Sequence, residues 1–237
     1  MSAGVRVLAF DVFGTVVDWY GSIARDVARI DPGIDAGAFA LAWRRGYDPA
    51  MQRVRRGELG WTRLDDLHRL ILDDILPEFG LAHLGEAERR ELNLVWHRLD
   101  PWPDSVSGLT RLKRHFTLCT LSNGNLGLLT DLSKRAGLPW DLILSAEVFR
   151  HYKPDPQTYL GVADVFGLRP EQVMLVATHA HDLRAAAACG LRTAFVERPL
   201  ECGPQSRNDL GSEPDVDADI TARDFLDLAS QLERGWS

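Results

Sequence analysis

With 237 residues, the chain is long enough for one substantial core or a core carrying a smaller inserted unit. Apolar residues make up 45% and charged residues 26%, the balance of an ordinary soluble globular protein, and no apolar run approaches the roughly 18 residues of a membrane span. A net charge of −7 argues against a general binder of nucleic acid or anionic membrane, while leaving room for a small anion in a local positive pocket.

The apolar run 5–10 predicts a buried strand that ends on the carboxylate of Asp11, after which Gly14 and Thr15 turn the chain away. From 19 to 99 the pattern is helical: stretches 22–30, 36–58, 64–75 and 86–99 carry apolar residues three and four apart. Pro49 is expected to kink or split the second stretch. Asp100-Pro101-Trp102-Pro103 suits a stiff return hinge, because its prolines deny helix on both sides. Strands and helices then alternate: helix 107–114, strand 116–121, helix 126–136 stopped by Gly137, strand 142–145 and helix 155–166 closed by Gly167. Strand 172–177, helix 182–189 ending at Gly190 and strand 192–196 follow. Residues 200–219 read as a long surface loop, before Ile220 and a last helix at 222–232.

This alternation predicts an α/β fold, a Rossmann-like parallel sheet with helices on both faces. The helical stretch after the first strand predicts an inserted all-helical cap over the strand ends. The expected division is a catalytic core from residues 1–18 and 100–237, and a cap from residues 19–99.

Four short motifs sit where predicted strands end or helices begin, the place where open α/β sheets bind ligands. They are Asp11 with Thr15, Ser122-Asn123-Gly124, Tyr152-Lys153-Pro154-Asp155, and Thr178-His179-Ala180-His181-Asp182. A nucleophile, a hydroxyl-amide pair, a lysine and a second carboxylate thereby converge on one edge of the sheet. Taken singly, each has a plainer reading: Ser-Asn-Gly is good turn chemistry, and Asp182 suits a helix N-cap.

The order and spacing of the motifs resemble the haloacid dehalogenase superfamily over essentially the whole chain, and more narrowly its L-2-haloacid dehalogenase branch. Two positions separate that branch from the superfamily's phosphatases. The slot two residues after Asp11, an acid in those phosphatases that protonates an alkoxide, is Phe13 here. The position that gives them a Mg²⁺ carboxylate, four residues before the last Asp, is Thr178. The resemblance therefore implies a hydrolase of carbon–halide bonds acting without metal or other cofactor. Its alternatives are a phosphatase or phosphonate hydrolase on the same scaffold, or an inactive anion-binding homologue.

What the resemblance implies for the residues is specific. Asp11 attacks the halogen-bearing carbon of a short 2-haloacid, and water then hydrolyses the aspartyl ester to a 2-hydroxy acid. Lys153 keeps Asp11 ionised, Asp182 holds Lys153 and helps activate water, Thr15 hydrogen-bonds Asp11, and Tyr159 matches a family tyrosine. Ser122 and the backbone N–H groups of Val12 and Phe13 bind the substrate carboxylate, while Asn123 and Arg44 cradle the halide. Arg45 adjoins Arg44 and competes for that role. His179 and Ala177 replace an Asn and a Ser of the better-known members. The histidine is expected to position or deprotonate the hydrolytic water, or to reshape the halide pocket.

Substrate, water and halide are the expected partners, with neither nucleic acid nor membrane; members of the branch are often homodimers, and the sequence itself leaves the oligomeric state open. Cys119, Cys189 and Cys202 are odd in number and widely spaced, forming no zinc or redox pattern. With no leader-like segment at the N-terminus, they point to a reducing, cytoplasmic location.

Overall fold

The computed structural model describes residues 4–204 and 217–234. The chain begins with β1 (Val7–Phe10) and β2 (Val17–Asp18), then runs through α1 (Trp19–Ile30), α2 (Ala36–Arg45), α3 (Tyr47–Arg55), α4 (Leu64–Ile75) and α5 (Glu86–Asn93). It continues with β3 (Asp100–Pro101), α6 (Ser105–Leu112), β4 (Thr117–Ser122), α7 (Leu126–Ala136), β5 (Leu142–Ser145) and α8 (Ala146–Phe149). Last come α9 (Pro156–Phe166), β6 (Val173–Ala177), α10 (Ala180–Ala188), β7 (Arg192–Val196), β8 (Ile220–Ala222) and α11 (Phe225–Arg234).

Six of the described strands form one parallel sheet in the order β5-β4-β1-β6-β7-β8, the expected α/β architecture. β1 is central and wholly buried, which explains its unbroken apolar run: both faces are covered. Leu8 and Phe10 belong to the apolar cluster on one face, Val7 and Ala9 to the cluster on the other, as alternation along a strand requires. From β1 the chain moves outward to β4 and β5, then crosses back to β6 on the far side of β1. The reversal opens a crevice at the carboxyl end of β1, where an α/β sheet places its ligand.

The stretch between β2 and β3 is helical and packs around Trp19, Phe39, Trp43, Leu67, Leu72 and Trp96, all buried. Its second predicted helix does split, but at Gly46 rather than Pro49. A side chain at Gly46 would come within 2.3 Å of Ile71 Cγ2 on α4. Pro49 falls in the first turn of α3, where a missing N–H costs nothing. The predicted helix 86–99 is α-helical only to Asn93 and continues as a 3₁₀ turn, Leu94–Arg98.

Two features escaped the pattern reading. β2 and β3 pair antiparallel, Val17 with Pro101 and Asp18 with Asp100, clamping together the two chain segments that flank the helical stretch. Ala222 ends a strand instead of starting a helix, and α11 begins at Phe225, whose N–H donates to Asp104 Oδ2 at 2.8 Å. Of the predicted surface loop, residues 205–216 lie outside the described residues. No described helix is long and apolar enough to cross a membrane. The three cysteines are free thiols.

Candidate active site

The Asp11 N–H donates to Val176 O at 3.0 Å, so the ladder between β1 and β6 continues one residue past the strand and holds the Asp11 backbone in the middle of the sheet. Both carboxylate oxygens are engaged. Oδ2 accepts from Thr15 Oγ1 at 2.7 Å and from His179 Nδ1 at 3.0 Å, while Oδ1 accepts from Lys153 Nζ at 2.9 Å. Thr15 Oγ1 itself accepts from the Thr178 N–H at 3.0 Å, which fixes its own hydrogen toward Asp11.

Lys153 lies in the loop between α8 and α9. Its backbone N–H donates to Asn123 Oδ1 at 2.7 Å, and its ammonium also donates to Asp182 Oδ2. Asp182 is in the first turn of α10, whose N-cap is His179, so the N-cap reading of Asp182 does not hold. Its other oxygen accepts from Tyr159 OH at 2.5 Å. Tyr159, buried on α9, thus braces Asp182, which in turn braces Lys153.

Arg55 of α3 reaches the same loop, donating to Asp155 Oδ1 at 3.1 Å and to the carbonyl of Lys153. The helical stretch also meets the site through Arg44. Its guanidinium lies 4.2 Å from the centre of the Tyr47 ring and 5.9 Å from that of Trp19, a stacking geometry that favours a cation. Its neighbour Arg45 is exposed. Asn123 Nδ2 approaches Met51 Sδ at 3.3 Å, and Ser122 Oγ accepts from the Gly124 N–H at 3.1 Å. Phe13 packs edge-on against Trp96 at 5.5 Å and His68 at 6.3 Å, while Val12 is buried beside it.

One member of the site was not foreseen. Glu201, beyond β7, accepts from His179 Nε2 at 2.9 Å and from Trp19 Nε1 at 3.0 Å, both on Oε1. Its only sequence signal was an acid shortly past a strand end that neighbours β6. Arg198 pins that segment, donating to Thr15 O at 2.8 Å and clasping Asp104 through both terminal nitrogens at 2.9 Å. His181 is exposed, its ring 5.5 Å from that of His179.

The charges determine which groups are ionised. Burial works against the Asp11 carboxylate, yet Lys153 and His179 hold it well below the usual carboxylate range. Burial likewise opposes the Lys153 ammonium, and Asp11 and Asp182 more than offset it. Glu201 and Asp11 outweigh the burial of His179 and push its pKa up to about 10. His179 is therefore an imidazolium near neutrality, with both N–H groups spent on carboxylates. The expectation that it deprotonates water fails, because it has neither a free lone pair nor a pKa near seven. Three anions (Asp11, Asp182, Glu201) face three cations (Lys153, His179, Arg44).

This is a parallel α/β protein built around an ionised carboxylate at the central strand end, tethered by a lysine with no acid two residues on. The profile of the haloacid dehalogenase-like hydrolases matches residues 5–190, and the chain belongs to that family. The (S)-2-haloacid dehalogenase 1 of Pseudomonas sp. (strain CBS-3) is 31% identical over 205 residues, 82% of this chain and 85% of its own. The crystal structure of an L-2-haloacid dehalogenase superposes with a TM-score of 0.90 at 48% identity, covering 97% of this chain and all of the other. A second, described as a defluorinating L-2-haloacid dehalogenase, gives 0.91 at 48% identity over 97% of this chain and 95% of its own.

Proposed function

We propose that the protein is a hydrolytic dehalogenase that converts a short 2-haloacid into the 2-hydroxy acid through an ester on Asp11. The observation that carries this reading is the asymmetry of the Asp11 carboxylate. Oδ2 is occupied by two donors, whereas among the described residues Oδ1 accepts from Lys153 alone and keeps a lone pair for attack. Phe13, two residues on, has no proton to give a leaving group, and a halide needs none.

In the first step Oδ1 forms a bond to the carbon bearing the halogen, and the halide leaves with the bonding pair. Splitting the reaction at a covalent ester replaces one hard displacement with two easier steps. Ser122 and the backbone N–H groups of Val12 and Phe13 bind the substrate carboxylate. Arg44, with Asn123, receives the halide, and its helical surroundings act as the cap that closes the pocket to bulk water. In the second step water attacks Cγ of Asp11, with Asp182 taking its proton and Lys153 holding both carboxylates in place. The chemistry needs no resident metal or cofactor. Free thiols at Cys119, Cys189 and Cys202 suit a reducing, cytoplasmic setting. Homodimer assembly rests on the family resemblance alone, and light scattering reads it directly.

The test is single turnover of haloacids in ¹⁸O water, followed by mass analysis of the Asp11 peptide. Label entering Asp11 while halide is released supports the ester route. Unlabelled Asp11 in active enzyme, or phosphate release in place of halide release, overturns it. Fluoroacetate belongs in the substrate panel beside chloro- and bromoacetate and 2-chloropropionate, since one relative of 48% identity is described as defluorinating.

A further inference from the structure

The geometry points to an oxyanion-stabilising pair for the second step: His179, held by Glu201, donates to Asp11 Oδ2 as that oxygen turns from ester carbonyl into oxyanion. This rests on the dehalogenase reading above. The two oxygens of Asp11 are not equivalent. With Oδ1 esterified, Oδ2 is the carbonyl oxygen, and it already faces Thr15 Oγ1 at 2.7 Å and His179 Nδ1 at 3.0 Å. Donors waiting where charge will develop are the geometric requirement for such stabilisation.

Glu201 supplies the remaining half. It accepts from His179 Nε2 at 2.9 Å, so both ring nitrogens carry protons and the group facing Oδ2 is cationic. Trp19 Nε1 holds the same carboxylate oxygen at 3.0 Å, and the carboxylate lies over Gly14, leaving Glu201 little freedom. His179 touches the reacting atoms; Glu201 acts through it and is a positioning residue.

The water oxygen bonds to Cγ, one water proton passes to Asp182, and the carbonyl pair moves onto Oδ2. When that pair returns, the Cγ–Oδ1 bond breaks, and the alkoxide carrying Oδ1 takes the proton from Asp182 to become the 2-hydroxy acid. Asp11 is left as a carboxylic acid that loses its proton to solvent.

The groups that set the charge of His179 are Asp11 after β1, Glu201 after β7 and His181 on α10, with Lys153 and Asp182 one contact away. Arg44 of α2 and Asp18 before α1 act on Glu201.

Rapid-quench kinetics on the full chain separate the halide burst from hydroxy-acid formation, and intact mass reads the Asp11 ester. Glu201→Gln should keep its halide burst within a few-fold while ester hydrolysis slows roughly 10–100-fold, so that the ester accumulates. The alkaline limb of hydrolysis, set by loss of the His179 proton that Glu201 holds in place, should move toward lower pH. His179→Ala, which removes the donor, should also accumulate ester, and should lose the limb altogether. Absence of the ester from both variants, or an alkaline limb that Glu201→Gln leaves in place, overturns the proposal. A native enzyme that releases no halide defeats the dehalogenase reading itself.

Discussion

Gly14 lies directly beneath the carboxylate of Glu201: a Cβ on Gly14 would come 2.2 Å from Glu201 Oε1. Gly14 also has φ +86°, a backbone region that side chains resist. Gly14→Ala should therefore cost about 1–2 kcal/mol of stability and push Glu201 away from His179. Thermal unfolding reads the first effect. Accumulation of the Asp11 ester, as expected for Glu201→Gln, reads the second.

Asp11→Asn should abolish halide release and leave the fold intact, because an amide is not a comparable nucleophile. Lys153 keeps its contact with Asp182, and His179 keeps Glu201, so no buried charge is stranded. Halide assay and circular dichroism on the same sample check both halves.

Arg44 and Arg45 should differ sharply. Arg44 stacks on Tyr47 and faces the site, whereas Arg45 is exposed. Arg44→Ala should slow the halide burst on the order of 10²-fold. Arg45→Ala should leave the burst within a factor of two. Equal losses in the two variants would move the halide subsite.

Two histidines, His68 buried and His179 half-buried, should give stability a maximum near pH 6.5. His179 has a pKa of about 10 in the folded protein against 6.5 for a free side chain. Its contribution is complete below 6.5 and is lost as pH rises toward 10. His68 is the opposite case. It stacks on Trp96 at 4.0 Å, with neither ring nitrogen hydrogen-bonded among the described residues, and burial pushes its pKa down to about 3. Asp65, Arg44 and His97 are the charged groups acting on it. Its contribution is complete above 6.5 and is lost as pH falls toward 3. Melting temperatures across pH 5–9 should fall on both sides. His179→Asn should flatten the alkaline limb and His68→Phe the acid limb.

The central sheet could be read from the chain because its signals are local. β1 is a continuous apolar run, and β5 and β7 match their predicted bounds. Gly137 stops α7 in the left-handed conformation that glycine favours. The grouping of Asp11, Thr15, Lys153 and Asp182 followed from where strands end. What could not be read depends on distant partners. At Gly46, where the helix splits, a side chain would meet Ile71, 25 residues later in the chain, while the conspicuous Pro49 is harmless. Glu201 reaches Asp11 only through His179, from a segment with no motif of its own. Its presence changes His179 from a candidate base into a fixed cation.

The antiparallel clamp of β2 on β3 has a bearing on protein engineering. The chain departs for its helical excursion at Asp18 and comes back at Asp100, two residues that sit opposite one another in register. None of the six parallel strands therefore relies on that excursion for its neighbours. A different helical stretch grafted at this junction has to keep a partner for the Lys153 loop, which Arg55 of α3 now holds through Asp155 and the Lys153 carbonyl.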